Sequence, residues 1–276
     1  MKVRYFCLII AITTFSQLFS QGTKGGSVFY EQIRTLSFEE RESAIEKEMI
    51  EGNMPSFINS LVTITTLQRD AGGREREVTL FVSPQYLSVG NDDDFFIVPM
   101  GPITAQRVAD YYKSSLPTPK VTDIIYQYSR LKLEPFTYIP RGNRNETPDI
   151  LYDHSKVIQA QIKAAGKEPG IFVAGIKKDI VICSKLADTV RTRHVTIYGW
   201  HKLDGKPIQP ANNVHINTYV DYSHGVRLVS NRVLVDGIEY DYRDILKDSV
   251  LHKLLSYENE PLKRVSYIVG QVAKNN

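Results

Sequence analysis

Four of the six histidines fall in the segment HVTIYGWHKLDGKPIQPANNVHINTYVDYSHGVR, residues 194 to 227. The only tryptophan, Trp200, lies there with Tyr198, Tyr219, Tyr222, Asp221 and Arg227. Imidazoles titrate near neutral pH, carboxylates orient or charge them, and arginine offers a planar fork to a carboxylate or phosphate. Proton-transfer chemistry is therefore expected in this segment. Its densest part runs from Tyr219 to Leu228. There Gly225 lets backbone approach a ligand, His224 can move a proton, Asp221 and Tyr222 flank it, and Arg227 can fix an anionic group. The expected catalytic set is His224, Asp221, Tyr222 and Arg227. The opposing reading makes Asp221 and Arg227 an ordinary ion pair and His224 a satisfied turn residue.

Tyr198, Trp200, His201, His215 and Tyr219 form the expected substrate-binding set, with the aromatic faces suited to stacking on a sugar ring. In a regular strand Tyr198 and Trp200 share one face and His201 points away. The opposing reading assigns these aromatics to core and hairpin packing. His201, His215 and His224, with Asp221, are acceptable zinc ligands. The chain has no HExxH and no paired CxxC, so no cofactor is expected and zinc stands as the alternative. Cys183 follows Ile180, Val181 and Ile182 and reads as a buried thiol rather than a nucleophile. No GxSxG elbow is present. Asn91–Asp92–Asp93–Asp94 lacks EF-hand spacing and reads as a solvated acidic turn.

The elements that must position these residues follow from periodicity and turn chemistry. Lys2 and Arg4, then an apolar run from Tyr5 to Ile12, predict a secretory leader over residues 1–21. That run is too short to span a membrane, and nothing later approaches the required length. An exported protein, periplasmic or extracellular, is therefore expected, with no transmembrane segment. Of 34 Lys and Arg, two sit in the leader, leaving 32 against 31 acidic residues and a net charge of +1. That balance, without a basic stripe, argues against nucleic-acid binding. With Cys7 in the leader, Cys183 has no intramolecular partner. Oligomeric state is left open.

Residues 22–60 are expected to be an N-terminal extension, loose from Gly22 to Gly26, with one helix beginning at the capping box of Ser37 and Glu40. Residues 61–276 are expected to form one domain. Leu61 to Leu67 and Glu77 to Val82 predict a hairpin, with a third strand at Phe95 to Val98. Helices are predicted from Pro102, from Thr118–Pro119 and from Thr147–Pro148, the last with Leu151, His154, Ile158 and Ile162 on one side. After Gly170 short β-rich runs take over: IFVAGI, DIVIC, HVTIYGW, VHINTYV, GVRLVS and RVLVDG. Turns are expected at residues 176–179, at Asp204–Gly205 and at Asn212–Asn213. A closing helix is expected from Asp241 to Ser256. The predicted class is α+β, with helices mainly over 102–166 and a largely antiparallel sheet over 171–236.

Ser223 to Leu228, SHGVRL, resembles the SHGC[VI]R[LM] signature of L,D-transpeptidases, which remodel peptidoglycan through a cysteine. This chain has no cysteine between Gly225 and Val226. The resemblance would make His224 and Arg227 the counterparts of that family's histidine and arginine, without its acyl-transfer nucleophile. IYGWH, PIQP, DYSHGVRLVS and VDG together resemble a group of uncharacterised secreted bacterial proteins, and the leader is similar to those of Bacteroidetes. These readings converge on an expected exported hydrolase acting on peptidoglycan or an extracellular polysaccharide by histidine-centred acid/base chemistry. The alternative is a non-catalytic envelope module that binds a glycan or peptide.

Overall fold

The computed structural model describes residues 24–269 except 141 and 143; the leader expected over residues 1–21 lies outside them. The described chain opens with α1 (Gly26–Ile33). Gly26 is not loose. A Cβ built there would lie 2.3 Å from the Phe96 backbone nitrogen, so only glycine admits this approach. Asp94 accepts from the Ser27 amide at 3.0 Å and its hydroxyl at 2.6 Å, putting a carboxylate at the positive end of the helix. The predicted capping box of α2 (Phe38–Ile50) forms in both directions between Ser37 and Glu40. Phe29, Ile33, Ile45 and Met49 enter the same apolar core as the sheets, so these two helices are integral packing elements.

The predicted hairpin is β1 (Val62–Arg69) and β2 (Glu75–Val82), paired without interruption from Val62↔Val82 to Arg69↔Glu75. β3 (Ser88–Gly90) and β4 (Phe95–Ile97) form a second hairpin around the acidic turn. That turn is solvated at Asp92 and Asp93, as expected, and it is also a clasp. Asp94 caps α1, and Asp92 accepts from the Ser56 amide and hydroxyl, each at 2.6 Å. α3 (Pro102–Tyr111), β5 (Ser114–Ser115), α4 (Pro119–Tyr128), β6 (Leu131–Lys132) and α5 (Pro148–Ala164) follow. Each of the three helices begins with proline, as predicted, because the first turn has no use for that N–H. α5 buries Leu151, His154, Ile158 and Ile162 on its inner side, as the spacing predicts.

The C-terminal half contributes β7 (Val173–Ala174), β8 (Lys178–Ile180), β9 (Ile197–His201), β10 (Pro207–Asn212), β11 (His224–Gly225), β12 (Val229–Ser230), β13 (Arg232–Val235) and β14 (Ile238–Asp241). Several expectations are corrected here. Residues 178–179, read as part of a turn, belong to β8 inside a sheet. VHINTYV is not a strand; only Ile216 pairs, in an isolated bridge with His194. The partner of β9 is instead the proline-bearing PIQPAN, which lies at the sheet edge where a missing N–H costs least. The closing helix is two short ones, α6 (Tyr242–Lys247) and α7 (His252–Leu255). Asp248 separates them, its carboxylate accepting from the Val250 and Leu251 amides at 2.7 Å.

Two sheets dominate. The larger has the order β14-β13-β2-β12-β5 with β1 on β2, so its centre comes from the N-terminal half and it is not confined to residues 171–236. The smaller has the order β10-β9-β8-β11, with β11 parallel to β8 and the other pairs antiparallel. The fold is α+β, with helices packed around largely antiparallel sheets. No helix among the described residues is long and apolar enough to cross a membrane.

Candidate functional site

β8 is the scaffold of the polar centre. His224 pairs with Lys178 on one side of it, and Gly199 pairs with Lys178 on the other. Residues 221 to 224 turn immediately before β11, where Asp221 collects donors: the Ser223 amide at 2.8 Å, the Ser223 hydroxyl at 2.5 Å and the Tyr219 hydroxyl at 3.1 Å. His224 Nε2 lies 4.0 Å from Asp221 Oδ1. The His215 ring stacks on Tyr219 with centroids 4.2 Å apart, and Tyr219 meets His224 edge-on at 5.8 Å. The structure thus brings together Asp221, His224, Tyr219 and His215.

Burial sets the electrostatics. His224 is 1% exposed, and neither ring nitrogen has a hydrogen-bond partner among the described residues. Burial pushes its pKa down to about 4 against the pull of Asp221, leaving a neutral ring at pH 7. Burial would raise Asp221, but His224, Lys178 and the two Ser223 hydrogen bonds outweigh it and hold the carboxyl below its usual range. Lys177, 1% exposed, donates to the Tyr222 carbonyl at 2.5 Å, and burial lowers its pKa to about 7. Burial also lowers Lys178, whose ammonium lies 4.7 Å from the centre of the Trp200 ring.

The rim is more open. His215, Tyr219 and Glu146 are half-buried. Burial lowers His215, with Asp221 opposing. Burial raises Glu146, and the nearby Asp221 raises it further. A neutral imidazole and a carboxyl that holds its proton more tightly than usual therefore flank one ionised carboxylate. That pairing suits base and acid roles.

Other expected site residues lie elsewhere. Tyr222 is buried, its hydroxyl accepting from the Tyr138 amide at 3.0 Å and its ring packed against His154. Arg227 is 1% exposed. Its two terminal nitrogens donate to the Ser83 and Val173 carbonyls at 2.7 Å, and its guanidinium stands 4.4 Å from the Tyr86 ring centre. The side chain is thus committed to tying the end of β2 to β7. The ion pair with Asp221 that the opposing reading offered is not formed either, because Asp221 turns to Ser223 and Tyr219 instead.

Tyr198 and His201 form a second polar group. Asp123 on α4 accepts from Tyr198 at 2.8 Å and from the Tyr257 hydroxyl at 2.8 Å, and its Oδ1 lies 2.8 Å from His201 Nε2. His201 also stacks on Tyr126 at 4.5 Å. Tyr198 and His201 therefore meet on one carboxylate, against the alternation expected of a regular strand. The cause is local: Gly199 has φ 109° and Trp200 φ 58°, turning the chain between them. A positive φ at tryptophan costs on the order of 1–3 kcal/mol, and such strain concentrates at functional or tightly packed sites. Asp123 lies where a cleft of about 640 Å³ and one of about 430 Å³ meet.

With His201 held by Asp123, the three histidines of the zinc alternative do not share one site. Among the described residues no group of three or more His, Cys, Asp or Glu is placed to hold a metal ion. Cys183 is buried, as expected, and burial pushes its thiol up to about 11.

Sequence reasoning missed Lys177, Lys178, Glu146 and Asp123. The lysines carried a usable signal, two cations and Asp179 between apolar runs that continue on both sides, IFVAGI and IVIC. Glu146 and Asp123 carried none, since each reads as an ordinary polar residue at a helix start or on a helix. Comparison with known protein families, curated proteins and solved structures gave no match to this chain.

Proposed function

We propose that the protein is an exported enzyme that hydrolyses a bond in peptidoglycan or an extracellular polysaccharide by acid/base chemistry centred on Asp221. The carrying observation is the Asp221 hub: an ionised, largely buried carboxylate with a neutral, half-open histidine and, at its rim, a carboxyl whose pKa burial and Asp221 raise. In this reading His215 is the general base and Glu146 the general acid. Tyr219 links His215 to Asp221, and Lys178 holds the charge balance. His224, closed off from solvent, is a positioning residue behind Asp221 rather than the group that meets substrate. Export rests on Lys2, Arg4 and the apolar run that follows.

The test is mass spectrometry of soluble products after incubation with peptidoglycan sacculi and, separately, with a panel of extracellular polysaccharides. Wild type is expected to release products. His215→Ala is expected to lose about 100-fold or more of the rate while keeping the wild-type melting temperature, and Asp221→Asn to lose as much while folding with a lower one, because its buried charge and hydrogen bonds also hold the turn. The exposed Lys206→Ala should match wild type. Undiminished turnover in His215→Ala and Asp221→Asn would remove this site from the reaction.

The 1% exposure of His224 favours a second reading, a non-catalytic module whose stacked His215–Tyr219 pair packs on a sugar ring. It predicts saturable glycan binding without product, lost in Tyr219→Ala.

A further inference from the structure

A separate cavity of about 370 Å³ lies beyond the His194↔Ile216 bridge. Four cationic side chains, Lys185, Arg191, Arg193 and Arg264, line it together with His194, and none of its lining residues is acidic. In a protein whose charge is nearly balanced outside the leader, this concentration is local.

The cations keep donors to spare, although Arg191 lies close enough to Asp188 to lower its pKa and Lys185 also lines the adjoining cleft that holds Asp188, Glu258 and Glu260. Arg264 donates to the Leu186 carbonyl at 2.7 Å and Arg191 to the Asn213 side-chain oxygen at 3.4 Å, leaving further N–H groups on both. Among the described residues the Lys185 ammonium and the Arg193 guanidinium make no hydrogen bond or ion pair. Asp188 is occupied by the Val190 and Arg191 amides and by Asn213, and it lines the adjoining cleft with Glu258 and Glu260. His194 Nδ1 is buried without a partner. Ile103 and Tyr267 supply apolar wall. Cations converging on one concavity repel one another, and an anion there relieves that repulsion while taking their free donors.

We infer that this cavity binds a small organic anion, a sugar or comparable body carrying one phosphate or carboxylate group. Lys185, Arg191, Arg193 and Arg264 grip the anionic group, and the apolar wall takes the body. The volume lies at the small end of ligand pockets. The inference stands apart from the catalytic reading, because equilibrium binding is measured without turnover.

The experiment is calorimetric titration of the purified protein with glucose 6-phosphate, with glucuronate and with uncharged glucose. At least one charged sugar is expected to saturate and glucose is not. Comparison of the two charged sugars tells phosphate from carboxylate recognition. Affinity should weaken with added salt. Lys185→Ala with Arg193→Ala is expected to weaken it at least 10-fold with the melting temperature unchanged, and Arg193→Glu alone to do the same. Both positions are exposed, so folding should survive. The inference is overturned if neither charged sugar saturates at about 10 mM, a concentration well above a 1 mM dissociation constant. Equal binding in the variants, or equal binding of glucose, also overturns it.

Discussion

Lys177 is an ammonium group placed where almost no water reaches it, and its pKa falls to about 7 in consequence. Across pH 7 to 10.5 the unfolded chain keeps the proton that the folded chain releases. Lys177 therefore makes stability rise with pH through that window, and the contribution is lost as pH falls back toward 7. Lys177→Met is expected to flatten this slope by up to about 1.4 kcal/mol per pH unit, measured from urea midpoints between pH 7 and 9.5. An unchanged slope would mean that the amine is hydrated. Lys177 and Lys178 were read as a turn because consecutive charges ordinarily mark solvent. What overrides this is a sheet that closes over them and a carbonyl, that of Tyr222, placed to receive the amine. The histidine-rich segment was legible as chemistry because residue type alone marks it. Which histidine faces outward was not legible, since His215 and His224 differ only in what the distant chain lays over them.

Element boundaries were most legible where a local rule decides them. Ser37 with Glu40, Thr118 with Pro119 and the β1–β2 hairpin all form where their own residues place them. Legibility failed where a distant partner decides. Asp94 looked solvated until α1 arrived above it, and Asp94→Ala is expected to cost about 1 kcal/mol as a lost helix cap, read from the denaturation midpoint. β11 depends on Gly225 in a different way. A Cβ there would fall 2.7 Å from Lys177 Cβ and 2.8 Å from the Tyr86 ring, so Gly225→Ala should destabilise by about 1–3 kcal/mol through overpacking. The same measurement checks it, and a cost near zero would mean that β8 and β11 separate easily. At β9, alternation misplaced His201 because a tryptophan at positive φ is not something residue preferences foretell.

At the scale of the whole molecule, the class was legible because helix and strand periods divide the chain, whereas the strand order was not. β2 sits beside β12 and β13, and β8 beside β11, across long separations that no local pattern encodes. The N-terminal segment was misjudged for the same reason. Phe29, Ile33, Ile45 and Met49 are each at most 1% exposed, and burial of such side chains contributes about 1.5–3 kcal/mol apiece. Their sum rivals the whole stability of a typical domain, so a chain starting at residue 61 is expected to lose its cooperative thermal transition in calorimetry. A sharp transition in that fragment would show that the sheets stand alone. Cys183 then acquires a use unrelated to catalysis. Its thiol is enclosed where β8 runs on toward the basic cavity, and it is protonated at neutral pH. A disulfide-exchange reagent can therefore reach it only through a transient opening, so its labelling rate in the native protein would act as a clock for local opening around the end of β8.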